Sequence, residues 1–154
     1  MTPGLLAENK QVVERFVAIL NERRLDDLPQ VMATHVVDHN KIIHGEPDVP
    51  GAAIEAYRQQ LAAFDPYHAR IDEMIAEGDR VAVRITQSGV NSGAHPRAPI
   101  PTHRRFQNEI IYIFTITDGK ITEIRGIGDR LGMFLQLGWP WPPPMDPLPP
   151  EPGL

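Results

Sequence analysis

The chain has 154 residues, with 20 acidic and 15 basic side chains for a net charge of -5, sixteen prolines and no cysteine. That length suits one domain able to enclose a core and a small-molecule cavity. The lack of cysteine excludes disulfides, thiolate nucleophiles and cysteine-held metals, and mild acidity without a basic run argues against nucleic acid or an anionic membrane as partner. No apolar stretch nears the roughly 20 residues that span a bilayer. The opening MTPGLLAENK has neither a basic region nor a long apolar run, so a cytoplasmic protein is the expectation.

Residues 6–23 predict an amphipathic helix, with Val13, Phe16, Val17 and Leu20 recurring at i, i+3, i+4 and i+7. Asp26 and Asp27 suit the start of a second short helix that accepts Pro29 and runs to about His35. A third helix is expected from about Pro50, with Ile54, Tyr57, Leu61 and Phe64 along one face. Beyond Pro66 the period changes to that of strands. Residues 67–77 and 80–90 form a hairpin turning at Gly78-Asp79, with Glu73 facing Arg84. A loop over 91–101 follows. Residues 103–117 and 120–129 then make a second hairpin around Asp118-Gly119, and a short helix, Leu131 to Leu137, ends at Gly138. Helices followed by a meander of long strands give an α+β domain over residues 1–139.

Eight of the sixteen prolines crowd into residues 140–154, a tail that can form neither helix nor sheet. Two readings stay open: a free terminus, or one anchored by Trp139 and Trp141.

A two-residue turn at Asp118-Gly119 pairs Thr117 with Lys120. Counting back, Phe114 meets Glu123, Tyr112 meets Arg125, Ile110 meets Ile127 and Asn108 meets Asp129. One face of this hairpin then carries Phe106, Asn108, Tyr112, Phe114, Glu123, Arg125 and Asp129, a polar and aromatic mixture suited to a cavity. The other carries Ile111, Ile113, Thr115, Thr122 and Ile124. A β-bulge would shift this register.

The segments GDRVAVR (78–84), Pro101-Thr102, DGKITEIRGIGD (118–129) and LGMFLQLG (131–138), with the opening helix and VVDHN (36–40), resemble the SnoaL-like polyketide cyclase family over about residues 8–138. The resemblance implies a cone-shaped α+β barrel of the nuclear-transport-factor-2-like type. In it, three helices pack into a strongly curved antiparallel sheet around a deep pocket. It also implies a homodimer or homotetramer formed through the sheet, and ring closure without metal or organic cofactor. The acidic residue ending the GKI…D motif, which serves such cyclases as general acid/base in an aldol closure, matches Asp129. His39 matches a position at the pocket entrance, and Arg125 stands where the family often has tryptophan.

An aspartate becomes a useful base only in an apolar setting that raises its pKa, which Phe106, Tyr112, Phe114 and Ile127 would supply. Asp129 is equally a good N-cap for the closing helix. Arg125 could orient an enolate oxygen or form a pocket ion pair, and Asn108, Tyr112 and Tyr57 could hold substrate oxygens. His68 is expected in packing or hydrogen bonding, His95 and His103 in or beside the loop, and His35 and His44 at the surface. The expected substrate is a polyketide-like small molecule. Epoxide opening, a pericyclic closure or a non-catalytic binding module are the competing functions on the same scaffold.

Overall fold

The computed structural model describes residues 3–43 and 45–141. In chain order it contains helix α1 (Pro3–Asn21), a 3-10 turn (Leu25–Gln30), strand β1 (Met32–Asp38), the short helix α2 (His39–Ile43) and helix α3 (Ala52–Ala63). Strands β2 (Phe64–Glu77), β3 (Arg80–Asn91), β4 (Arg105–Thr117) and β5 (Lys120–Gly128) follow, and helix α4 (Arg130–Leu137) closes the order. The five strands form one curved sheet in the order β1-β5-β4-β3-β2, antiparallel except where β1 runs parallel to β5.

The periodic residues of α1 face the sheet as expected: Val12, Val13, Phe16, Val17 and Leu20 are buried. Asn21 fastens the end of α1 to β2, its amide donating to the carbonyl of Ala69 at 2.8 Å and accepting the Ala69 N–H at 2.7 Å. Both hairpins turn where expected, with Glu77 opposite Arg80 and Thr117 opposite Lys120. Glu73 does lie opposite Arg84, but the shorter contact of Arg84 is to Glu109, at 2.9 Å rather than 3.8 Å.

Three expectations are corrected. The second helix does not reach His35: it is a single 3-10 turn ending at Gln30, with Asp26 and Asp27 inside its first turn rather than capping it. The residues after it form β1, which finds its partner far along the chain in β5. Phe64 belongs to β2, not to the third helix.

The third correction concerns the face of β5. Ile116 pairs with Ile121 but Thr115 pairs with Glu123, so Thr122 is an extra residue, a β-bulge. Its hydroxyl sits 3.3 Å from the Thr115 carbonyl and 3.1 Å from the Thr117 hydroxyl. Beyond it every side chain of β5 changes face. Phe114 is opposite Ile124, Tyr112 opposite Gly126, Ile113 opposite Arg125 and Ile111 opposite Ile127.

Two apolar clusters result. The larger lies between α1, α3 and the concave face of the sheet, around Phe16, Leu61, Val81, Val83, Phe114 and Ile124. The smaller joins Phe64, Ala98, Phe106, Phe134, Leu137 and Trp139 at one end of the sheet. Trp139 is only 6% exposed there, stacked on His95 and Phe64, and its indole N–H donates to Asn91 Oδ1 at 3.1 Å. Trp139 is therefore anchored, Trp141 rests edge-on against Phe134, and the rest of the proline-rich tail lies outside the described residues. No helix among the described residues is long and apolar enough to cross a membrane.

Candidate active site

The concave face is built from alternating residues of the four long strands, with the helices closing over it. Phe106, Asn108, Tyr112 and Phe114 of β4 all face inward, and Tyr57 approaches them from α3. Aromatic stacking fixes the walls. Tyr112 lies on Phe114 at 5.1 Å with planes 15° apart, and Phe16 meets Phe114 and Tyr57 edge-on at 5.6 and 5.2 Å.

A narrow cavity of about 10 Å³ runs between Tyr57, Tyr67, Tyr112, Gln60 and Gln87, which is room for about one water. Tyr67 donates to Gln87 Oε1 at 3.0 Å. The hydroxyls of Tyr57 and Tyr112 have no hydrogen-bond partner among the described residues. Burial pushes the Tyr57 phenol well above its ordinary value and Tyr112 up to about 12. Both therefore stay protonated at neutral pH and can donate to a substrate oxygen. Asn108, 8% exposed, gives its Nδ2 to the main-chain carbonyl of Asp129 at 3.2 Å, while its Oδ1 is buried without a partner. A buried acceptor in that state suits a donor on a bound molecule.

The remaining candidates lie elsewhere. Arg125 is exposed on the convex face, and Ile127 beside it is 83% exposed. The bulge at Thr122 turned both out of the pocket. Glu123 faces outward for the same reason and sits 3.0 Å from His39 Nε2, which holds that histidine at the rim. Asp129 falls opposite Glu109, not Asn108, with its N–H 3.4 Å from the Glu109 carbonyl. Its carboxylate is exposed and accepts the Gly132 N–H at 2.8 Å, capping α4. Among the other histidines, His35 pairs with Asp48 at the surface and His68 is exposed rather than packed. His103 adopts a left-handed φ of 57° beside the loop, and His44 lies outside the described residues.

Sequence reasoning missed the polar groups that rim the inner face. Asp38 ends β1, Arg130 begins α4, and Arg97 on the loop between β3 and β4 holds Glu46 at 2.6 Å. Burial raises the Asp38 carboxyl above its ordinary range, with the N–H groups of Lys41 and Asn40 opposing. Burial, followed by the charge of Arg97, lowers Arg130. The available signal was the pair Gly126 and Gly128, two apart on a strand. Missing side chains at that spacing leave room for large neighbours to lie across the strand.

Among the described residues, no cluster of three or more histidine, aspartate or glutamate side chains could hold a metal ion. The groups present are hydrogen-bond donors, a desolvated carboxylate and aromatic walls, which suit proton transfer and shape control.

The family model described as SnoaL-like polyketide cyclase matches residues 10–137. Aklanonic acid methyl ester cyclase DauD of Streptomyces sp. (strain C5) is 31% identical over 150 residues, covering 92% of this chain and 89% of the relative. Nogalonic acid methyl ester cyclase of Streptomyces nogalater is 31% identical over 129 residues, covering 82% of this chain and 95% of the relative. Among solved structures, TsrD from Streptomyces laurentii superposes with a TM-score of 0.75 at 27% identity, covering 86% of this chain and 96% of that one. With a curved sheet of this build and a match that spans both hairpins and most of α1, the chain belongs to the SnoaL-like polyketide cyclase family.

Proposed function

We propose that this enzyme closes a carbon ring in the methyl ester of a polyketide-derived acid by intramolecular aldol addition. The observation that carries the reading is the concave face itself. The hydroxyls of two half-buried tyrosines and a buried, unpaired Asn108 oxygen project among aromatic walls, in a chain 31% identical to two methyl ester cyclases. A flat, oxygen-rich chain meets aromatic surfaces with its body and hydrogen-bonding groups with its carbonyls and hydroxyls. The reaction joins two carbons of one molecule, so its atoms balance without an oxidant, reductant or organic cofactor. Folding the chain so that those carbons meet is a large part of the work.

Proton transfer needs a carboxylate that faces the substrate. Asp129, to which the family motif points, gives only Oδ1 to the first turn of α4, so in this reading its other oxygen takes and returns the proton. Copies of the enzyme pair through the convex face, where Ile75, Ile111, Ile113 and Ile127 are all exposed; an apolar patch of this kind suits association.

Incubation with aklanonic or nogalonic acid methyl ester, followed by chromatography and mass spectrometry, tests the reading. The expected product has unchanged mass and altered retention and absorbance. Recovery of unchanged substrate under conditions where the Streptomyces cyclases act would reject it.

A further inference from the structure

Along β3 the inward positions are Val81, Val83 and Ile85, and the next in that row is Gln87. An amide only 5% exposed in an apolar row needs partners for its oxygen and for its two N–H groups. The oxygen has them. Tyr67, diagonally across the β2–β3 ladder, donates its hydroxyl to Gln87 Oε1 at 3.0 Å, and Gln60 Nε2 from α3 lies 3.5 Å from the same atom. Burial, followed by the proximity of Tyr112, raises the Tyr67 phenol, so it keeps its proton at neutral pH and stays a donor to that oxygen. The Gln87 nitrogen has no hydrogen-bond partner among the described residues. Asn108 stands level with it on β4, yet Asn108 Oδ1 is unpaired, so the nitrogen does not turn toward β4.

Gln87 does line the narrow cavity shared with Tyr57, Tyr67 and Tyr112, whose volume of about 10 Å³ suits one oxygen atom. An amide nitrogen donates and cannot accept. A carbonyl oxygen brings two lone pairs and no proton, which matches the amide N–H and the unpartnered hydroxyls of Tyr57 and Tyr112. A substrate hydroxyl would bring a proton toward an amide oxygen that Tyr67 already occupies. The position along the sheet sets the distance from the chemistry. Asn108, level with Gln87, holds the Asp129 carbonyl, and β4 lies between β5 and β3. Gln87 is therefore two strand spacings from Asp129, about 10 Å.

We propose that Gln87 Nε2 binds a carbonyl oxygen in a part of the substrate that does not react, and that Tyr67 is the positioning residue that presents the amide. The proposal rests on the ring-closure reading above and names a feature its substrate must carry, a carbonyl about 10 Å from the carbon that loses its proton. No bond is made or broken at Gln87, so its hydrogen bond is the same in the ground state and the transition state. Uniform binding of that kind lowers KM and leaves kcat alone. A substrate without the carbonyl leaves the N–H unpaired and is rejected for that reason.

The test compares the parent with Gln87→Met, which keeps the length of the side chain and removes the donor. With aklanonic acid methyl ester as substrate, KM should rise by about 5–100-fold, the usual loss when one partner of a buried hydrogen bond is removed, with kcat within about threefold of the parent. Tyr67→Phe should raise KM in the parent and leave it unchanged in the Gln87→Met background, since its effect passes through the amide. It also serves if Gln87→Met fails to fold. A second measurement needs no turnover: calorimetric titration with anthraquinone sulfonate and with anthracene sulfonate, flat probes with and without ring carbonyls. The parent should bind the quinone at least about 5-fold tighter, and Gln87→Met should bind the two within about twofold of each other. A Gln87→Met enzyme with parental KM, additive effects of the two substitutions, or a parent that does not prefer the quinone would overturn the assignment. A parent that prefers the quinone through Gln87 but closes no ring would sink the ring-closure reading alone.

Discussion

Gly126→Ala adds one methyl group at the point where β4 and β5 share the concave face, and its cost can be worked from the contacts. The new carbon would stand 2.6 Å from Tyr112 Cδ1 and 2.7 Å from Cε1, whereas favourable carbon–carbon separations start near ~3.5 Å. The ring must therefore yield by about 1 Å. It cannot slide along β4, because it is stacked on Phe114, which is fully buried and braced by Phe16. Toward the helices the free space is about 10 Å³. Overpacking of this kind costs about 1–3 kcal/mol, and alanine recovers about 0.5–1 kcal/mol over glycine within a strand. The net is about 0–2.5 kcal/mol of lost stability, centred near ~1 kcal/mol, or up to about 10 °C in Tm for a chain of this length. Urea unfolding of Gly126→Ala, Tyr112→Ala and the double variant measures the coupling. In the Tyr112→Ala background the methyl meets no ring, so Gly126→Ala should be neutral or mildly stabilising there. Equal destabilisation in both backgrounds would refute the account, since the cost would then lie in the β5 backbone and not in the ring.

Two further outcomes are expected. His95, half-buried against Trp139 and beside Arg97, has its pKa lowered to about 4. Between that value and the ordinary 6.5 the unfolded chain binds a proton that the folded one does not, so stability falls as the pH drops through this window. Melting curves from pH 7 to 4.5 should show a steeper acid loss for the parent than for His95→Phe, and parallel curves would refute this. On the convex face, the parent should scatter light as a dimer or larger, and Ile127→Glu should shift it toward monomer with little change in Tm. A monomeric parent at high concentration would remove the convex face as an interface.

What could be read from the residues alone divides along a physical line. The α1 period, both hairpin turns and the α4 cap depend on residues a few positions apart, and all were legible. So were Phe106, Asn108, Tyr112 and Phe114 as residues of one face, because β4 alternates without interruption, and Tyr57 on the apolar face of α3. Strand β1 was not: its partner is β5, far along the chain, and Leu28, Val31 and Met32 also fit a helical spacing. The bulge at Thr122 was equally silent, because a single extra residue leaves no mark on composition or period. It reversed the faces of Glu123, Arg125 and Ile127.

One end of the sheet is fastened by the residue just past α4. Asn91, fully buried, accepts the N–H of Thr102 at 2.8 Å and the indole N–H of Trp139 at 3.1 Å, and gives its own amide to the carbonyls of Ala63 and Gly93. One side chain thus ties α3, the loop bearing Arg97 and the residue just past α4 into a single knot. During synthesis the main core can assemble as soon as β5 has emerged, whereas this knot must wait for Trp139. Among the described residues, this end of the sheet is therefore the last part to become organised. By the same logic it can loosen alone, with α1 and the central strands still packed. Local loosening at that end and global stability then fall on separate clusters of the same small fold, and selection can tune one without eroding the other.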